Sequence, residues 1–212
     1  MAEVVAVCVV HQLLPERSIG VTAIDKRPVE RPLRIRALGV HGDVQADRKY
    51  HGGADQAVYA YAEEDAAWFA QDLGREIPPG LFGENLRTRG VDVTGAVIGE
   101  RWRIGEKVVL EVTSPRTPCG VFERRMGVKG WQRRFDEHGA PGVYFRVIRA
   151  GDVQAGDAIE VVDRPAHGVT IGRWFTEQAP ADARALLAAE ASGAVRLQDD
   201  VHRKIEKALA RA

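Results

Sequence analysis

At the start of the chain three β-type runs follow one another with only turns between them, and no other feature constrains the fold as much. Residues 4–10 are a short, nearly unbroken apolar run containing Cys8, the pattern of a strand buried on both faces. Residues 20–24 and 33–38 read as further strands, with Pro28 and Pro32 punctuating the turn between them. Successive strands without intervening helices suit an antiparallel or barrel-like sheet and argue against a doubly wound parallel one.

The rest of the chain extends this reading. Residues 57–61 predict a strand, and residues 63–73 a helix with Ala66, Ala67, Phe69, Ala70 and Leu73 as its apolar stripe and Gly74 as its stop. The alternation of Val108, Leu110 and Val112 predicts a strand over 107–113; residues 142–149 and 157–162 predict two more around a turn at 151–156. Short helices are expected over 121–126 and 129–135, where Trp131 and Phe135 lie one turn apart and read as a core pair. From Pro165 the character becomes helical, over 169–176, 181–191 and 195–210. Val201, Ile205 and Leu209 form an amphipathic stripe there that needs a partner surface, either the β region or a second copy of the chain. The expected organisation is a β domain over 1–164 and a three-helix extension over 165–212.

Composition limits the function classes. Lys+Arg and Asp+Glu balance at 30 each, which removes any general electrostatic basis for binding a nucleic acid polymer or an anionic membrane. Any anion site has to be local. The two cysteines, Cys8 and Cys119, fit neither a disulfide framework nor a paired metal-ligand spacing, as in a reducing compartment. Residues 1–10 carry Glu3 and no basic segment, and no stretch approaches the roughly eighteen apolar residues of a membrane helix. A cytoplasmic protein is expected.

Candidate chemistry lies in three loops. The strand over 107–113 runs into Thr113-Ser114-Pro115-Arg116-Thr117-Pro118-Cys119-Gly120, where two prolines stiffen a turn carrying a cysteine and an arginine. A thiol beside a fixed guanidinium has reason to be a thiolate, the form that attacks electrophiles or binds a soft metal. The alternative is an inert loop cysteine. Cys8 reads as a small core hydrophobe. Residues 39–56 form a long polar loop with two histidines, three aspartates, Arg48, Lys49 and four glycines, either a functional loop whose glycines admit a ligand or a surface excursion without a role. In Phe82-Gly83-Glu84-Asn85-Leu86, Glu84 and Asn85 either hydrogen-bond a ligand or tie down the turn.

Taken in order, five blocks resemble the MOSC family, the domain named for the carboxy-terminal part of molybdenum cofactor sulfurases. They are Gly42-Asp43-Val44-Gln45-Ala46-Asp47-Arg48, His51-Gly52-Gly53-Ala54-Asp55, Phe82-Gly83-Glu84-Asn85-Leu86, Ser114-Pro115-Arg116-Thr117-Pro118-Cys119 and Gly142-Val143-Tyr144-Phe145-Arg146-Val147. The helical tail, beginning near His167-Gly168-Val169-Thr170, resembles the extension of the YiiM-like bacterial subgroup.

The resemblance implies a mostly antiparallel β-barrel, of the kind related to the pyruvate-kinase barrel domain, with Cys119 at a pocket on its rim. It implies binding of the molybdenum cofactor in its molybdopterin form, since amidoxime-reducing relatives hold molybdenum through a cysteine at the position matching Cys119. Arg116 would then compensate charge on the thiolate or grip the pterin phosphate. By residue type, Arg48, Lys49 and His51 offer donors to phosphate or oxo groups, and the amides of Gly52 and Gly53 admit an anion. Asp47, Asp55 and Asn85 would recognise pterin nitrogens or orient those cations.

The implied activity is reduction of N-hydroxylated purine bases or hydroxylamines to amines, with electrons from an external flavin or iron-sulfur reductase. His51 is a candidate proton donor, and equally a structural or phosphate-binding histidine. Other readings are a cofactor or sulfur carrier using a Cys119 thiolate or persulfide, a pyridoxal phosphate protein with its Schiff base on Lys49, and a barrel serving protein interaction alone. The tail is expected to be a homodimer element, an electron-donor dock or a lid.

Overall fold

A computed structural model describes residues 1–46 and 52–211. The chain opens with β1 (Glu3–Val10), β2 (Leu14–Glu16), β3 (Gly20–Thr22), β4 (Lys26–Pro28), β5 (Leu33–Arg36) and β6 (Gly39–Val40). A short 3-10 turn (Ala54–Gln56) leads to β7 (Val58–Ala62), α1 (Glu63–Leu73), β8 (Leu86–Arg89), β9 (Arg101–Ile104) and β10 (Val108–Pro115). Then come α2 (Gly120–Met126), α3 (Trp131–His138), β11 (Val143–Arg149), β12 (Gly151–Val153) and β13 (Ile159–Asp163). The tail is α4 (Ile171–Thr176), α5 (Pro180–Ala191) and α6 (Asp199–Leu209).

The main sheet runs β13-β9-β10-β11-β7-β8-β1-β4 and is antiparallel except for β7 against β8. Its two halves curl towards each other. A bridge joins Glu3 to Ala158, and the Val4 amide donates to the Asp157 carbonyl at 2.9 Å, so the start of β1 meets the segment leading into β13. The mostly antiparallel, barrel-like architecture with a helical tail is the one expected from the strand sequence.

β7 shows how one strand can serve two cores. All five of its residues are buried, and with side chains alternating between faces, Val58, Ala60 and Ala62 enter the barrel interior while Tyr59 and Tyr61 enter an aromatic cluster on the other side. That cluster is built from Phe69 of α1, Phe82, Phe122 and Met126 of α2, and Trp131 and Phe135 of α3. Phe122 and Phe135 meet edge to face at 5.2 Å, and Trp131 and Phe135 form the core pair their spacing indicates. The stripe of α6 also turns inward: Val201, Ile205 and Ala208 join the barrel cluster with Ala183 and Leu186 of α5. Its partner surface is therefore the chain's own.

Local readings differ in several places, and β2, β6, β8 and β9 are strands where none is expected. Pro28 lies inside β4, which is tolerable because β4 is the sheet's edge strand and needs no further amide donor there. Residues 151–156 hold β12, paired to β5 in a small second sheet. Ala67 is exposed, leaving Ala66 and Phe69 as the fully buried face of α1. Helix α6 starts at Asp199; residues 195–198 are not helical, Gln198 is extended, and Val195 and Leu197 are buried.

Candidate functional site

The sequence carries Cys119 out of β10 to the position just before α2. β10 stays buried through Ser114 and Pro115, and Cys119, in extended conformation, precedes the helix. Two ion pairs fix α2 from outside: Arg124 with Glu16 of β2, and Arg125 with the buried Asp25 at 2.6 Å. The half-buried Cys119 opens on a cleft between β7, the segment around residue 44 and the residues preceding β4. Cys8 is another matter. It is fully buried, and burial, reinforced by the charge of Glu84, pushes its thiol up to about 12, so it stays protonated.

Arg116 is the unusual group. It is only 6% exposed, its guanidinium carbon lies 3.7 Å from the centroid of Phe122 and 5.3 Å from that of Tyr59, and its Nη1 is buried without a hydrogen-bond partner. Among the described residues no carboxylate forms an ion pair with it. Burial opposes its charge, while Tyr59, Tyr144 and Cys119 favour it, and the net direction is upward. Both tyrosines are themselves held protonated by burial. That leaves the Cys119 thiol as the third of these groups to act on the guanidinium.

A polar network forms the opposite wall. Lys26 Nζ donates to Asp43 Oδ2 at 2.7 Å, and Asn85 Nδ2 donates to the same oxygen at 2.7 Å. Asp43 Oδ1 accepts from the Val10 amide at 3.0 Å. Asn85 also donates to the Cys8 carbonyl and accepts from the Tyr59 amide at 3.2 Å, so its carboxamide ties the turn after Phe82 to β1 and β7. Phe82, Ile24 and Val121 supply apolar lining.

The candidate residues fall into three groups. Cys119, Arg116, Asn85 and Gly52 border the cleft. Gly53 and Asp55 border a second, polar depression with Thr117 and Lys204, where Arg146 Nε lies 3.2 Å and Arg196 Nη2 2.6 Å from the Asp55 carboxylate. Asp47, Arg48, Lys49 and His51 lie outside the described residues. The amides of Gly52 and Gly53 already have partners: they donate to Gln56 Oε1 at 2.9 Å and Gln45 Oε1 at 2.8 Å. Lys26, Asp43, Tyr59 and Tyr144 also line the cleft, beyond the candidates that the sequence indicates. Asp43 and Tyr144 sit inside the conspicuous motifs, which is a usable signal; Lys26 has none, because only the fold brings it to Asp43.

Comparison with known proteins bears on the family and on the fold. The MOSC domain model matches residues 47–160. "Uncharacterized protein YflK" of Bacillus subtilis is 35% identical over 150 residues, 71% of this chain and 67% of the relative. "Protein YiiM" of Escherichia coli is 32% identical over 68% of this chain and 65% of the relative. A Gibberella moniliformis protein called "Reductase" is 32% identical over 68% of this chain and only 26% of its own length. The crystal structure of YiiM from Geobacillus stearothermophilus superposes with a TM-score of 0.80 over 99% of this chain and 100% of that one; at 22% identity it speaks for the fold alone.

Proposed function

The chain belongs to the MOSC domain family, and from that premise we propose that it is a molybdenum-cofactor-dependent oxidoreductase that reduces N-hydroxylated bases or hydroxylamines to amines. The observation that carries the proposal is the buried Arg116, left with an unpartnered Nη1 against a cleft whose other reactive group is a thiol. Burying a guanidinium without a carboxylate costs several kcal/mol, and such a cost is retained where a charge has work to do. A thiolate on Cys119, or an anionic ligand beside it, completes that environment.

The residues present fit a molybdopterin-type cofactor. Cys119 would ligate the metal as a soft thiolate, and Arg116 would offset negative charge on the ligand set. The chemistry such a cofactor supplies is two-electron redox with cleavage of an N–O bond. Lys26 and Asp43 give the cleft a fixed ammonium and carboxylate, bonded to each other with Asn85 donating to the same Asp43 oxygen, that can orient a polar heterocycle. Phe82, Ile24 and Val121 give the space beside Cys119 an apolar wall. The reaction R–NHOH + 2e⁻ + 2H⁺ → R–NH₂ + H₂O requires an external donor, a flavin or iron-sulfur reductase, and two protons from the site or solvent.

The test is turnover. Protein isolated from a host able to make the cofactor is reduced with an artificial electron donor and given an N-hydroxylated purine base, and the amine is quantified. Amine formation that disappears in Cys119→Ser supports the reading; equal activity in Cys119→Ser removes it.

A further inference from the structure

Helix α6 touches the loop that carries Cys119. Lys204 Nζ donates to Thr117 Oγ1 at 3.1 Å and pairs with Asp200 on its own helix at 2.9 Å. Just before α6, Arg196 reaches the segment over residues 52–56, whose Gly52 and Gln56 border the cleft. Its Nη2 contacts Asp55 Oδ1 at 2.6 Å, its carbonyl accepts from Arg146 Nη2 at 2.8 Å, and Arg146 in turn grips Asp55. The Asp55 carbonyl accepts from Thr113 of β10 at 2.6 Å, which closes the circuit back to the strand that delivers Arg116 and Cys119.

These contacts are not what holds the tail on. That is done by Val201, Ile205 and Ala208, buried in the barrel cluster. Arg196 is exposed and Thr117 lies at the surface, so both links are of the kind that adds little to global stability. Their placement is specific nonetheless. Gly52, Gln56 and Tyr144 form a partition with the cleft on one side and, on the other, the depression walled by Arg196, Gln198 and Lys204.

We infer that the C-terminal extension is a working part of the site, with Arg196 and Lys204 as positioning residues that fasten the two segments bordering the cleft, residues 52–56 and 115–119. The inference rests on the reading of Cys119 as the reactive group. It gives the tail a task within its own chain: α6 is a clasp across the loops, and the rigidity of the Cys119 loop depends on a lysine 87 residues away from Thr117 in sequence.

The test uses the full chain with Lys204→Met, Lys204→Arg and Arg196→Met. Because the apolar stripe is untouched, all three are expected to fold with an unchanged melting temperature. Hydrogen exchange followed by mass spectrometry should show amides at 117, 119 and 120 exchanging severalfold faster in Lys204→Met, and amides at 52–56 severalfold faster in Arg196→Met, with β1 and β9 unaffected. Lys204→Arg should restore the parent pattern. Cys119 alkylation at a single pH should change in Lys204→Met and return in Lys204→Arg. Unchanged exchange and alkylation in both methionine variants overturns the inference, as does a Lys204→Arg protein that behaves like Lys204→Met. Loss of the clasp effects is distinguishable from failure of the functional reading, which would appear as full turnover in Cys119→Ser with the exchange pattern intact.

Discussion

Replacing Arg116 by methionine should separate function from stability. Arg116 is 6% exposed and its guanidinium carbon lies 3.7 Å from the centroid of Phe122, a contact worth about 2 kcal/mol when desolvated. Against it stands a desolvation cost of several kcal/mol with no carboxylate among the described residues to offset it. Methionine keeps most of the stem's volume and none of the charge. The two terms nearly cancel, so Arg116→Met should change unfolding stability by less than about 1 kcal/mol, or raise it, in urea titrations followed by tryptophan fluorescence. Cys119 should respond quite differently. Removing an adjacent opposite charge disfavours a thiolate by roughly tenfold or more, and the rate of Cys119 alkylation by iodoacetamide at neutral pH should fall accordingly. A loss of more than about 3 kcal/mol together with an unchanged alkylation rate would refute the reasoning and make Arg116 a structural residue.

Three further outcomes are expected. Glu84→Gln leaves the fully buried Arg87, now bonded to Glu84 at 2.5 Å and to Glu63 at 3.0 Å, with half its compensation, and should cost about 3–5 kcal/mol in the same titration; a cost below about 1 kcal/mol would contradict this. Burial, helped by Glu64 and Asp92, raises the Asp65 carboxyl to about 6 from 3.8, so the folded chain keeps a proton that the unfolded chain releases. Stability from this group is therefore complete below the unfolded value and lost as pH rises through about 6, by up to roughly 3 kcal/mol, and Asp65→Asn should flatten that part of the stability profile while a parallel profile would refute it. In the folded chain at pH 8, mass spectrometry after iodoacetamide should find Cys119 modified and Cys8 untouched, since the Cys8 thiol is buried and pushed up to about 12; modification of Cys8 at a comparable rate would contradict its burial.

The fold was legible where its cause is local. Helix α1 has the bounds that its stripe and Gly74 dictate, and the consecutive strands announced a barrel-like sheet. The short edge strands β2, β4, β6 and β12, of two or three residues each, have no periodicity to read, and β8 and β9, of four residues each, have hardly more. The candidate site divides in the same way. Cys119 and Arg116 were visible because two prolines and a strand set them apart. The partners of Asn85, Gly52 and Gly53 were not, because Asp43, Gln56 and Gln45 reach them through chain geometry rather than through any residue-type rule. Contacts such as Arg196 with Asp55, separated by 141 residues, belong to the fold and leave no trace in a motif.

The most direct test of the central claim is elemental and pterin analysis of the protein purified from a host competent to make the molybdenum cofactor, alongside Cys119→Ser prepared identically. The account predicts molybdenum and pterin in equal amounts, approaching one of each per chain in the parent, and their loss from a Cys119→Ser protein that remains folded. Folded parent protein without molybdenum from a cofactor-replete host, or molybdenum retained undiminished in Cys119→Ser, would contradict it.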